Sequence, residues 1–191
     1  MAKKQVNANI ILSLVLAGLL IFIFGKPTVS KAPHSSPAPF REELAEVDEP
    51  ELQTLWFHSL AEPLPLVMST SFEEANIQSL LKEGAVILPV GNGFNQAGNM
   101  VIVAHSSGLP WFGPYRFAFS ELSDLGVGDE FRITIGDSQY TYRVFEREIV
   151  HPEAIYELPQ DTRSTVTLVT CWPVWTDFKR LLIHGELSSG A

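Results

Sequence analysis

Thr165-Val166-Thr167-Leu168-Val169-Thr170-Cys171-Trp172-Pro173 carries the only cysteine in the 191 residues. A run of Thr, Val and Leu closed by Trp-Pro reads as a strand, because these side chains suit a pleated surface and Pro cannot extend the ladder. Period-two alternation puts Thr165, Thr167, Val169 and Cys171 on one face and Val166, Leu168 and Thr170 on the other. The thiol therefore falls at a strand end, on a rim. Arg180 follows nine residues later and opens a second apolar run, Leu181-Leu182-Ile183-His184-Gly185-Glu186-Leu187. A hairpin between the two runs brings Cys171 and Arg180 to the same rim. A lone cysteine is ordinarily a small buried hydrophobe. A thiol beside a fixed guanidinium at one edge points instead to acyl-transfer chemistry.

Working outward, Met100-Val101-Ile102-Val103-Ala104-His105 is a second short apolar strand ending on a reactive side chain. Such a histidine is usually structural; a Cys and an Arg at other strand ends favour a catalytic reading. Before it, Ser71-Phe72-Glu73-Glu74 has the pattern of a capping box, with Glu74 three residues after a Ser71 cap. A helix over Phe72, Ala75, Leu80 and Leu81 follows, stopping at Gly84, and Ala85–Val90 is the next strand. Gly91 to Asn99 is a loop without a phosphate-binding pattern. After a loop rich in Gly, Pro and aromatic residues, Phe131–Ile135 and Tyr140–Phe145 form a hairpin around Gly136-Asp137-Ser138. A separate strand is expected at Glu148–Val150. Many short strands with frequent turns predict an all-β antiparallel barrel or sandwich.

The N-terminal part has a different character. Lys3 and Lys4 precede an apolar run from Ile10 to Phe24, and residues 26–40 hold Pro27, Pro33, Pro37 and Pro39. This predicts an uncleaved membrane anchor, with a cleaved signal peptide as the other reading, followed by a stiff spacer. Residues 1–25 would be the cytoplasmic tip and transmembrane helix, residues 26–55 the Pro-rich and acidic spacer, and residues 56–191 the globular domain outside the membrane. Charge divides accordingly: residues 1–31 carry +4 and the rest −13. So acidic a domain excludes nucleic acid as a natural partner. With one cysteine there is no internal disulfide and no cysteine zinc cluster. No cofactor or catalytic metal is expected, since no HExxH or carboxylate cluster is present.

The order of several motifs resembles the sortases, membrane-anchored cysteine transpeptidases of the bacterial surface. Gly98-Asn99-Met100-Val101-Ile102-Val103-Ala104-His105 is similar to their Gly-Asn-x-Val-Ile-x-Gly-His block, with Ala104 in place of Gly. Leu122 through Phe131, with Gly128-Asp129, then Tyr140-Thr141-Tyr142-Arg143-Val144, and Thr167-Leu168-Val169-Thr170-Cys171 followed by Arg180 resemble further blocks. The similarity runs from about Leu64 to Leu187. It departs at Ser106, where many members have Arg, and in the aromatic Trp172-Pro173-Val174-Trp175 after the cysteine.

The resemblance implies a closed eight-stranded sortase-type β-barrel with short helices. It implies Cys171 as nucleophile, His105 as general acid and base, and Arg180 as the group that positions substrate and steadies the oxyanion. It further implies cleavage of a sorting signal of Leu-Pro-x-Thr-Gly type on surface proteins. The acyl group would pass to an amine acceptor, a wall peptide or a pilin lysine, with the N-terminal helix in the lipid bilayer. Thr170, Trp172, His151 and Pro152 are the expected substrate-binding residues, Trp172 and Trp175 being equally open to a packing role. His184 reads as structural. The alternatives are a mainly hydrolytic thiol peptidase and a membrane-tethered β-domain that binds wall peptides without turnover.

Overall fold

The computed structural model describes residues 52–158 and 160–190. The expected anchor, most of the spacer and His34 lie outside them. Among the described residues no helix is long and apolar enough to cross a membrane.

Eight strands close into a barrel: β1 (Gln53–Phe57), β2 (Leu64–Met68), β3 (Ala85–Ile87), β4 (Gly98–Val103), β5 (Glu130–Ile135), β6 (Ser138–Val150), β7 (Ser164–Trp172) and β8 (Lys179–Gly190). Around the barrel the order is β1-β2-β3-β4-β7-β8-β6-β5. The first strand begins at Gln53, inside the stretch expected to be spacer. The ladder is not wholly antiparallel, because β2 with β3 and β4 with β7 run parallel. A parallel neighbour requires a crossover. Helix α1 (Glu74–Leu80) provides it between β2 and β3.

Other local expectations are also corrected. The capping box does not form: Glu73 is the N-cap without a side-chain cap bond, and the Ser71 hydroxyl instead accepts from the Glu73 N–H at 3.3 Å and the Asn76 amide at 3.3 Å. Ser71 is thereby held in a turn before the helix. The helix ends at Leu80, short of Gly84. Gly84 serves a different need, since a Cβ there would overlap the Pro65 carbonyl of β2. The strand expected over Ala85–Val90 stops at Ile87. The strand expected separately at Glu148–Val150 is the end of β6, which continues through a register shift between Val144 and Glu146. A bulge takes up one residue and lets the strand go on pairing with β8.

Alternation along β7 separates two apolar layers. Val166 and Leu168 face the barrel interior with Phe57, Ile102, Phe131, Ile133, Leu181 and Ile183. Val169 faces outward and packs with Val86, Leu88, Val101 and Leu182 beneath Leu81, Ile77 and Ile155. The outer layer exists because α1 and the 3-10 turn Pro152–Glu157 cover that face. Each aliphatic side chain buried in either layer contributes about 1.5–3 kcal/mol relative to exposure. Cys171 lies at the open end of the outer face.

Candidate active site

Two ladders set the site. β4 and β7 are parallel, with Val103 paired to Val169, so their C-terminal ends reach one rim. The alignment continues past the strand: the Ala104 N–H donates to the Val169 carbonyl at 3.2 Å, and the Thr170 hydroxyl to the Ala104 carbonyl at 2.8 Å. Two residues beyond the Val103–Val169 pair come His105 and Cys171, level with one another. On the other side β7 and β8 are antiparallel, and Cys171 is the register partner of Arg180. Imidazole, thiol and guanidinium thus lie side by side on three adjacent segments. All three line one cavity of ≈ 140 Å³, which Glu74 and Gln78 of α1 also wall.

Each group is held by its surroundings. Phe112, in the 3-10 turn Pro110–Phe112, stacks on His105 with centroids 5.0 Å apart and planes at 21°. The His105 carbonyl accepts from the Phe119 N–H at 2.8 Å, which fixes the backbone at the start of the loop. Arg180 donates from Nη1 to the carbonyls of Asp177 and Lys179, both at 3.0 Å. That anchors one arm of the fork and leaves its other donors directed by a fixed plane. The loop after Cys171 is latched to the loop after His105: the Trp175 N–H donates to the Ser107 hydroxyl at 2.9 Å, and the Trp175 ring meets Phe117 edge-on at 5.6 Å.

The electrostatics favour the neutral forms at rest. Burial pushes the Cys171 thiol up; the Arg180 charge opposes that, and Asp177 and Glu74 add to it. Burial pulls the His105 imidazole down, with Glu74 opposing. A nearby Arg alone would stabilise a thiolate, but here desolvation outweighs it.

The expected substrate-binding residues divide. Thr170 is buried and lines the cavity, with its hydroxyl committed to Ala104. Trp172 packs against the barrel core, a packing role in place of an open rim. His151 is exposed and Pro152 half-buried at the start of their 3-10 turn, and neither lines the cavity that holds Cys171. The same turn reaches it through Ile155. His184, read as structural, bonds through Nδ1 to the Thr167 hydroxyl at 2.9 Å, and Thr167 donates on to Asn99 Oδ1 at 2.8 Å. Glu74, Gln78 and Phe112 escaped the sequence reading. Glu74 was assigned to a cap, and the only signal for Phe112 was the aromatic density of its loop.

No curated protein sequence matches the chain. The family model described as the Sortase domain matches residues 63–188. Among solved structures, the pilus-related sortase C of Group B Streptococcus is similar at 26% identity and a TM-score of 0.58, over 73% of this chain and 68% of that one. Sortase C of Clostridium perfringens, solved with the C-terminal cell wall sorting motif, is similar at 30% identity and TM-score 0.55, over 73% and 71%. Sortase C of Streptococcus pneumoniae gives 28% identity and TM-score 0.57, over 73% and 70%. The chain therefore belongs to the sortase family of cysteine transpeptidases.

Proposed function

We propose that the protein cleaves a Leu-Pro-x-Thr-Gly-type sorting signal through a thioacyl intermediate on Cys171 and transfers the acyl group to an amine. The observation that carries this reading is the alignment of His105, Cys171 and Arg180 on neighbouring segments around one cavity. The Cys171 thiolate attacks the threonine carbonyl carbon, splitting one difficult displacement into two easier ones. As the carbon–nitrogen bond breaks, His105 gives its proton to the departing glycine amine. In the second half an acceptor amine loses a proton to His105 and attacks the thioester, and the thiolate leaves. Arg180 donates to the carbonyl oxygen as it gains negative charge in both halves.

An adjoining cavity of ≈ 310 Å³ supports the choice of signal. It shares Phe72, Leu88 and Ile155 with the Cys171 cavity and adds Val90, Val101 and Leu158. An apolar slot leading to the thiol suits the Leu-Pro end of the signal, and the sortase C of Clostridium perfringens is solved with the C-terminal cell wall sorting motif. In the domain organisation we propose, residues 1–25 hold a single-pass membrane anchor, residues 26–52 form a spacer, and the barrel, which starts at Gln53, acts outside the membrane on surface proteins. The test is product analysis of the full chain with a Leu-Pro-x-Thr-Gly peptide library, with and without triglycine. Cleavage between Thr and Gly with formation of the triglycine conjugate supports the reading. Free acid alone, whether or not triglycine is present, identifies a hydrolase, and an intact library identifies a non-catalytic domain.

A further inference from the structure

Two cavities meet at His105. One holds Cys171 and Arg180; the other, ≈ 260 Å³, runs between α1 and the 3-10 turn Pro110–Phe112, with Lys82, Trp111 and Phe112 in its walls. Gln78 and His105 line both. Glu74 belongs to the first cavity and Lys82 to the second; Glu74 and Gln78 stand four apart on α1, and Lys82 follows four further on in the turn that ends it. Such spacing puts them on a single face. The chain stays helical or turned to that point, with the Leu81 N–H donating to the Ile77 carbonyl at 2.9 Å and the Lys82 N–H to Ser79 at 3.2 Å. The stripe is therefore negative beside the thiol, neutral in the middle and positive at the far end, over roughly 12 Å along α1 and the turn that follows it. Glu74 and Lys82 are exposed, and neither enters an ion pair among the described residues. Glu74 Oε1 is held by the Gln78 amide at 2.7 Å.

We infer that this stripe binds the amine acceptor, with Glu74 receiving its ammonium group and Lys82 a carboxylate three to four residues further along. The inference rests on the transpeptidase reading and extends it to the second substrate. The polarity fixes the direction. An acceptor amine must reach the thioester on Cys171, and Glu74 is the carboxylate in that cavity. Its opposite end then lies along Phe112 and Trp111 toward Lys82. An extended peptide covers about 3.3–3.6 Å per residue, so a short peptide with a free N-terminus and a free carboxylate spans the stripe. His105, between the two cavities, is the base that takes the amine's proton before attack.

The experiment compares three acceptors on the full chain with a saturating sorting peptide: triglycine, triglycinamide and hydroxylamine. Hydroxylamine is neutral at the assay pH and too small to reach Lys82, so each variant's hydroxamate yield normalises its own data and reports that it is folded. The wild-type chain should favour triglycine over triglycinamide by about fivefold, the scale of an exposed ion pair, through KM and not kcat. Added salt should weaken that preference. Lys82→Gln should erase it by lowering triglycine to the level of triglycinamide. Glu74→Gln should weaken both amines alike relative to hydroxylamine. Equal use of the two peptides by the wild type, or a preference that survives Lys82→Gln, overturns the inference while hydroxamate formation leaves the transpeptidase reading standing. No hydroxamate from the wild type overturns both.

Discussion

Cys171 and Arg180 are direct partners in the β7–β8 ladder, on one face and at one rim of the barrel. Cross-strand partners carry their Cβ atoms about 4.5–5.5 Å apart, so thiol and guanidinium share a site without any loop rearrangement. The guanidinium is tied through Nη1 to two carbonyls of its own loop. It therefore has the directional fixity that stabilising a developing oxyanion requires.

Removing that donor should cost rate more than fold. Arg180→Gln is expected to lower kcat by about a hundredfold to a thousandfold, the effect of one lost oxyanion donor. It also removes the charge that favours the thiolate, so the basic limb of the pH–rate profile should move to higher pH. Steady-state kinetics across pH, beside a thermal melt close to that of the wild type, checks both.

The proposed mechanism needs Cys171 deprotonated and His105 protonated, yet burial pushes the thiol up and the imidazole down. The productive ion pair is then a minor species, and the rate should be bell-shaped, its acid limb set by His105 and its basic limb by Cys171. Glu74 raises both groups. Removing its charge lowers both, so Glu74→Gln should move the two limbs together toward acid, measured as kcat/KM for the sorting peptide. Limbs that stay in place would show that the Glu74 charge is screened from the site.

Phe112 covers one face of His105. Phe112→Ala opens the imidazole to water, which relieves the burial that depresses it and should move the acid limb to higher pH, opposite to Glu74→Gln. Loss of the stacked ring also loosens the proton donor, with an expected fall in kcat of about tenfold to a hundredfold. Titration of the histidine ring by NMR, together with the pH–rate profile, separates the two effects.

The fold depends on a tight point inside the barrel. Phe131 and Tyr142 stack at 5.4 Å, and a Cβ on Gly185 would overlap the Phe131 ring. Gly185→Ala should destabilise the protein by about 1–3 kcal/mol, as overpacking of a filled core does. Denaturant unfolding checks it. An unchanged midpoint would mean that the ring has room to move.

What the sequence made legible was local. The Cys strand, its partner beginning at Arg180, and the hairpin around Gly136-Asp137 follow from alternation and turn chemistry within short windows. His105 ends the apolar run that reads as a strand, although β4 itself stops at Val103 and only the parallel β4–β7 register brings the imidazole level with Cys171. Glu74 and Phe112 were not found, because their place depends on where a helix and a 3-10 turn pack on the barrel. Neighbouring residues carry no trace of that. The same limit applies to β6, where only pairing with β8 carries the strand through its bulge. His151 and Pro152 stand at the start of the 3-10 turn whose Ile155 lines the cavity holding Cys171.

The central claim is that Cys171 carries the acyl group. Intact-mass analysis of the full chain mixed with a Leu-Pro-x-Thr-Gly peptide tests it most directly. The expected result is an added mass equal to the peptide up to its threonyl carbonyl, absent from Cys171→Ala and released by hydroxylamine as the hydroxamate. Thr–Gly cleavage that persists in Cys171→Ala, or the same adduct on that variant, would contradict it.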